Sequence, residues 1–186
     1  MQQPTAYFNC NDGARLGFGG APIGNLFRSM NEHEVQSVLN RAWDDGCRSF
    51  DTAPHYGHGL SEKRLGDFLK TKHRSSFKIS SKVGRLLTPA SHVPREQFSY
   101  VDGLPFVQHW DFSRAGIRQS IEDSLMRMGL SQLDTVYLHD IDQATHGENY
   151  PSIFQQLLSE SLPELKKLKQ EGLLTHIGLG VNDHQV

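Results

Sequence analysis

Short strand-like runs and amphipathic helical stretches follow one another in strict turn along the chain, and this alternation limits the fold more than any other feature. Leu16–Gly20 reads as a brief strand that breaks at Gly19-Gly20-Ala21-Pro22. Asn31, with Glu34 three residues later, is a capping-box pattern; Val35, Val38, Leu39, Ala42 and Trp43 then form one apolar helical stripe before Gly46. A second strand over Cys47–Thr52 precedes a helix over Leu60–Leu69, and a third over Lys78–Val83 precedes a helix from Ser113 to Met128 that Gly129 ends. Asp134–His139 is the fourth strand. A short helix near Ser152–Ser159 is followed by another that Ser161 is placed to cap, with Pro163 in its first turn, where the missing N–H costs nothing. Gly172 closes that helix and Thr175–Val181 is a fifth strand.

Strands separated by helices of this length imply a parallel sheet with right-handed crossovers. An open doubly wound sheet and a (β/α)8 TIM barrel both satisfy that. The open sheet should carry G-x-G-x-x-G after its first strand, running into a helix. Gly17, Gly19, Gly20 and Gly24 crowd that place, but Pro22 and the long stretch to Asn31 break the pattern. The barrel is therefore the expected class, with about five of its eight βα units present and residues 1–186 forming a single, incomplete domain. The segment from Leu87 to Asp111 carries Pro89, Pro94 and Pro105 and no clear periodicity. Following the third strand, it reads either as a lid over the catalytic face, rich in aromatics, or as a surface loop that its aromatics pin down.

Composition excludes several classes. A formal net charge of -2 supplies no basic field for nucleic acid and no polybasic membrane patch. The first ten residues lack a basic start and an apolar core, so no secretory signal is expected, and no apolar run approaches the roughly 20 residues of a membrane span. Cys10 and Cys47 are too few for a disulfide framework, which points to a reducing, cytoplasmic address.

Chemistry-bearing residues gather where barrel enzymes keep their sites, at the C-terminal ends of successive strands. Asp51 ends the second strand, Tyr56 follows in its loop, Lys82 stands near the end of the third and His139 ends the fourth. Each has a plain alternative: Asp51 as the cap of a turn, Lys82 as a solvated strand end, His139 as a satisfied, half-buried histidine. A barrel would bring the four together as an acid, a phenol, an amine and an imidazole around one pocket. A phenol is a poor base at neutral pH, and a lysine cation a few ångströms away stabilises its phenolate. Such a tyrosine can exchange a proton with a substrate oxygen while a cofactor exchanges a hydride.

The run FDTAPHYGHGLSEKRLG (residues 50–66) resembles the signature of the aldo-keto reductases. SSKVGR (80–85) is similar to that family's lysine strand, and SIEDSLMRMGLSQLDTVYLHD (120–140) to its third helix and histidine strand. GFGGAPIGNLF near the start and the turn His139-Asp140-Ile141-Asp142 are most similar to the branch that oxidises sugars and pyridoxal. The resemblance implies Tyr56, Lys82, Asp51 and His139 as the catalytic set, NAD or NADP as cofactor, and a small sugar or aldehyde as substrate. It also implies Gly20, Ala21, Asp51 and Asn182 beside the cofactor. Many members end the fifth strand in Ser-Asn; here IGLGVND lacks the serine, so Asn182 reads either as the carboxamide contact or as a turn residue.

By the same resemblance, the remaining units of a full barrel would bind the adenosine half of the cofactor. Residues 1–186 alone are thus expected neither to bind it tightly nor to turn over substrate, and an unclosed sheet invites self-association through its edges. Two other readings compete. One is a metal-dependent barrel hydrolase using His55, His58, His139 and Asp140, although two of those sit in a loop. The other is a non-catalytic binding subunit on the same scaffold, which would have no need of the four residues.

Overall fold

A computed structural model describes residues 16–183. Cys10 and the amino-terminal stretch read for a secretory signal lie outside the described residues. Among the described residues, nine strands and six α-helices follow in the order β1 (Gly17–Gly19), α1 (Glu32–Asp44), β2 (Ser49–Asp51), α2 (Leu60–Leu69), β3 (Lys78–Val83), β4 (Arg85–Pro89), β5 (Glu96–Gln97), β6 (Tyr100–Val101), β7 (Phe106–Trp110), α3 (Arg114–Met128), β8 (Leu133–His139), α4 (Gln143–His146), α5 (Tyr150–Gln156), α6 (Leu162–Gln170) and β9 (Leu174–Gly180).

Five strands form one parallel sheet in the order β1-β2-β3-β8-β9. The spatial order follows the chain order with no reversal. A doubly wound sheet reverses at a switch point, whereas a barrel adds each new strand on the same side, so this is the sheet of the first five units of a (β/α)8 barrel. The register pairs Gly19 with Asp51, Asp51 with Ser80, Lys82 with Tyr137 and His139 with Gly180, which sets all the C-terminal strand ends along one edge.

Local chemistry accounts for the elements. Asn31 and Glu34 make a reciprocal capping box on α1, and Gly46 at φ +90° ends the turn after it. Ser113 accepts from the Gly116 amide to start α3, and Gly129 in the left-handed region stops it. Ile79 and Val83 of β3, Val136 and Leu138 of β8, and Phe50 of β2 point to the helices. There they bury against Leu39, Leu65, Leu69, Ile117, Ile121 and Leu165. The alternate residues Asp51, Ser80, Lys82, Tyr137 and His139 face the other side of the sheet. Gly178 leaves room there: a Cβ on it would sit 2.8 Å from the Tyr137 ring.

One buried charge cluster ties the layers together. Glu62 on α2, fully buried, accepts from Arg127 Nε of α3 at 2.6 Å and from Ser81 Oγ of β3 at 2.7 Å. A carboxylate out of water is tolerated only with such partners.

Two expectations are corrected. Ser161 does not cap a separate helix: α5, a π-helical stretch Leu157–Ser161 and α6 run on as one, with the Leu162 amide donating to Leu157 O. Ser161 Oγ instead donates to Phe112 O. The wider turn sits where Pro163, which lacks an N–H and crowds the carbonyl of the preceding turn, would otherwise break the helix.

The segment from Leu87 to Asp111 is not patternless either. β4 pairs antiparallel with β7 and β5 with β6, two hairpins rising from the end of β3. Gly84 at φ +105° turns the chain out of the sheet there, and a Cβ on it would lie 2.3 Å from the Phe112 ring. The tip folds back onto the β1–α1 loop and the turn after β2: Phe27 N donates to Ser99 O, Val101 N to Asn25 O and Leu104 N to Gly57 O.

Candidate active site

Asp51, at the end of β2, extends one carboxylate oxygen to Lys82 and the other to Ser80. Lys82 Nζ donates to Asp51 Oδ2 at 2.6 Å and to Thr52 O at 3.0 Å, and Ser80 Oγ donates to Asp51 Oδ1 at 2.7 Å. Lys82 stands two residues beyond the position that pairs with Asp51, so its side chain reaches back across the strand. The same ammonium lies 4.7 Å from the centre of the Tyr56 ring. Burial opposes the Lys82 charge, but Asp51 and then Tyr56 outweigh it and hold its pKa above the ordinary lysine value.

Tyr56 is carried by the turn between β2 and α2. Its amide donates to Ala53 O, and its own carbonyl accepts from Ser61 N. Gly24, in the loop after β1, packs against this backbone so closely that a Cβ there would meet Tyr56 C at 2.7 Å. The Tyr100 ring of β6 stacks on Tyr56 at 6.1 Å, and the His139 ring meets it edge-on at 6.2 Å. His55 stands 5.8 Å from His139 and its Nδ1 donates to Gln108 Oε1 at 2.9 Å.

His139 is buried, and its pKa is pushed down to about 2 by that burial and then by Lys82, Arg85 and His55, so the ring is neutral. His55, Tyr56, Lys82, Tyr100, His139, Asp140, Gly180, Val181 and Asn182 line a cavity of about 400 Å³ at the C-terminal edge of the sheet. An amine, a phenol and a neutral imidazole thus share one pocket, and Asp51, which does not line it, is joined to it through Lys82. That set can hold a substrate oxygen, pass it a proton and keep the phenolate form beside a cation.

Asn182 is at the rim, its Nδ2 donating to Asp140 Oδ1 at 3.0 Å and its amide to Asp142 Oδ2 at 3.2 Å. Gly20 and Ala21 do not line the cavity. Gly20 is packed behind it, its amide donating to Asp51 O, and a Cβ there would stand 2.6 Å from Ser61 Oγ. That close approach is sufficient reason for glycine at this position. Ala21 starts the helical turn over residues 22–24.

A second ion pair of the site joins Arg85, to which the sequence pattern assigns no role, with Asp140, which it offers only for the metal reading. Arg85 Nη2 donates to Asp140 Oδ2 at 2.8 Å, and the guanidinium stacks 3.9 Å over Trp110. The β3–β8 pairing, which sets Val83 opposite Leu138, brings these residues together two positions further on, and the β4–β7 pairing puts Arg85 opposite Trp110; no spacing along the chain signals it. Of the residues of the metal reading, His58 is fully buried with neither ring nitrogen partnered, facing Phe98. Among the described residues no three His, Cys, Asp or Glu side chains are placed to hold a metal ion.

A parallel sheet of this order, with an acid, amine, phenol and imidazole at its C-terminal edge, defines an α/β-barrel protein that gathers its reactive groups where that fold keeps its sites. The chain belongs to the aldo/keto reductase family, whose profile matches residues 15–186. It is 43% identical over 171 residues to a D-threo-aldose 1-dehydrogenase of a Pseudomonas species, an alignment covering 89% of this chain and 49% of that protein. It is 35% identical over 181 residues to the pyridoxal 4-dehydrogenase of Microbacterium luteolum, covering 92% and 53%. The solved glycerol dehydrogenase of Gluconobacter oxydans superposes with a TM-score of 0.64 at 26% identity, over 91% of this chain and 45% of that one. The chain spans about half the length of the curated relatives it matches.

Proposed function

We propose that this chain carries the proton-transfer side of a nicotinamide-dependent sugar dehydrogenase, acting on a small aldose or a related aldehyde. The observation that carries the reading is the Lys82 ammonium, held between the Asp51 carboxylate at 2.6 Å and the Tyr56 ring at 4.7 Å. Membership of the aldo/keto reductase family and similarity to an aldose 1-dehydrogenase support it.

The residues suit the cofactor. A phenol and a neutral imidazole line the cavity together with the Asn182 amide, a set matched to a hydroxyl–carbonyl oxygen and a carboxamide. NAD or NADP, when bound, exchanges the hydride. Tyr56 takes the proton of the sugar hydroxyl during oxidation and returns it during reduction. Lys82 stabilises the phenolate so formed, Asp51 keeps Lys82 placed and charged, and His139 hydrogen-bonds the reacting oxygen. Asn182 and Asp51 would stand beside the cofactor. Gly20 and Ala21 serve by shaping the loop behind it.

Turnover of L-fucose and other aldoses with NAD and with NADP, read as reduced nicotinamide, tests this reading and separates the two cofactors. A non-catalytic binding role would leave no turnover with any aldose. We further propose a cytoplasmic location; among the described residues no helix is long and apolar enough to cross a membrane. Association through the open edges of β1 and β9 belongs to the same proposal.

A further inference from the structure

A neutral histidine carries one N–H, and a His139 that hydrogen-bonds the reacting oxygen must carry it on the nitrogen beside the cavity. We propose that Asp140 is a positioning residue that places this proton on Nε2 of His139, a role that rests on the dehydrogenase reading of the site. It stands close enough to attract the proton and too far away to consume it.

The geometry has three parts. Asp140 Oδ2 lies 3.5 Å from His139 Nε2. A carboxylate charge at that separation in a poorly solvated site favours hydrogen on the nearer nitrogen, yet 3.5 Å is beyond the roughly 2.7–3.2 Å of a well-formed N–H···O bond. The hydrogen therefore stays available to a third atom.

The carboxylate cannot swing closer. Arg85 Nη2 donates to the same oxygen at 2.8 Å, Asn182 Nδ2 donates to the other at 3.0 Å, and the Asp140 amide donates to Gly180 O at 2.7 Å. Asp140 sits at φ +48°, a left-handed conformation that aspartate adopts more readily than most side chains, and these three contacts hold it there.

His139 Nδ1, the other ring nitrogen, is buried with no partner. A lone pair without a partner is tolerated in protein interiors more often than an N–H without an acceptor, so Nδ1 is the better place for the lone pair. Two cations, Lys82 and Arg85, and the His55 ring face the imidazole from β3, β4 and the turn after β2. With burial they keep it neutral, so the choice between nitrogens is a choice of tautomer.

The test is a two-bond ¹H–¹⁵N spectrum of the histidine side chains of the uniformly labelled chain, with the His139 signals assigned from His139→Gln. The wild-type ring is expected as the Nε2–H form. In Asp140→Asn the ratio of Nε2–H to Nδ1–H is expected to fall on the order of tenfold, the size of one pKa unit of charge interaction. A wild-type ring in the Nδ1–H form overturns the proposal without any variant being made. So does an unchanged Nε2–H pattern in folded Asp140→Asn. The spectrum is read on the resting protein, so failure of the sugar dehydrogenase reading appears in turnover alone and leaves this result standing.

Discussion

Lys82 Nζ donates to Asp51 Oδ2 at 2.6 Å across the β2–β3 pair, which makes the charge on a nearly buried lysine depend on one carboxylate. Burial alone would lower the lysine pKa; Asp51 and Tyr56 raise it. The stabilisation from this raised value is complete below the ordinary lysine pKa and is lost as pH rises through the folded-state value.

Asp51→Asn removes the main influence that opposes burial. The alkaline limb of the pH profile of kcat/KM is expected to move to lower pH, because Lys82 then loses its proton sooner. Lys82→Met is expected to lower kcat by at least about 100-fold at every pH, the scale of a disabled acid–base group. Profiles of the two variants side by side check both.

Acid stability is set by histidines that the fold keeps neutral. Burial and neighbouring cations depress His139 to about 2, and burial with His55 depresses His58 to about 4. Unfolding restores both to about 6.5, so the unfolded chain binds more protons between those limits. Stability is therefore expected to fall as pH drops below about 6.5, by up to about 1.4 kcal/mol per pH unit from His139. Urea midpoints from pH 7.5 to pH 4.5 measure it. His58→Asn, which keeps a residue able to adopt φ +56°, is expected to flatten the dependence between pH 6 and pH 4.

Gly66 of α2 packs directly against the backbone at the end of α3. A Cβ there would lie 2.3 Å from Met128 O and 2.4 Å from Met128 Cα, both backbone atoms that cannot turn away. Gly66→Ala is expected to cost roughly 1–3 kcal/mol, as overpacking does. A urea midpoint unchanged from wild type would contradict that packing.

Elements whose cause is local were legible in the sequence. The Asn31–Glu34 box starts α1, Gly129 stops α3, and β3 occupies Lys78–Val83 as its pattern indicates. What was hidden depends on distant partners. The β5–β6 hairpin turns at Phe98 and Ser99, both in the left-handed region though neither residue type announces such a turn, and the β4–β7 pair closes around it with residues 90–105 between its strands. Ser161 has the composition of a helix cap, but Phe112 O claims its hydroxyl. In the site, Asp51, Tyr56, Lys82 and His139 stand at strand ends that the alternation locates. Arg85–Asp140 joins residues 55 positions apart, and only the folded sheet shows it.

The most direct test of the central claim is steady-state oxidation of an aldose with the nicotinamide cofactor, measured with these five units carried in a complete eight-unit barrel. Wild type is compared with Tyr56→Phe, and cofactor binding is followed in parallel by nicotinamide fluorescence. The wild-type protein is expected to turn over, and Tyr56→Phe to lose at least about 100-fold in kcat. Cofactor affinity is expected to stay within about threefold, because one hydroxyl is removed and the ring remains between Tyr100 and His139. Equal turnover by the two proteins would contradict the assignment, since the proton would then come from a group other than Tyr56.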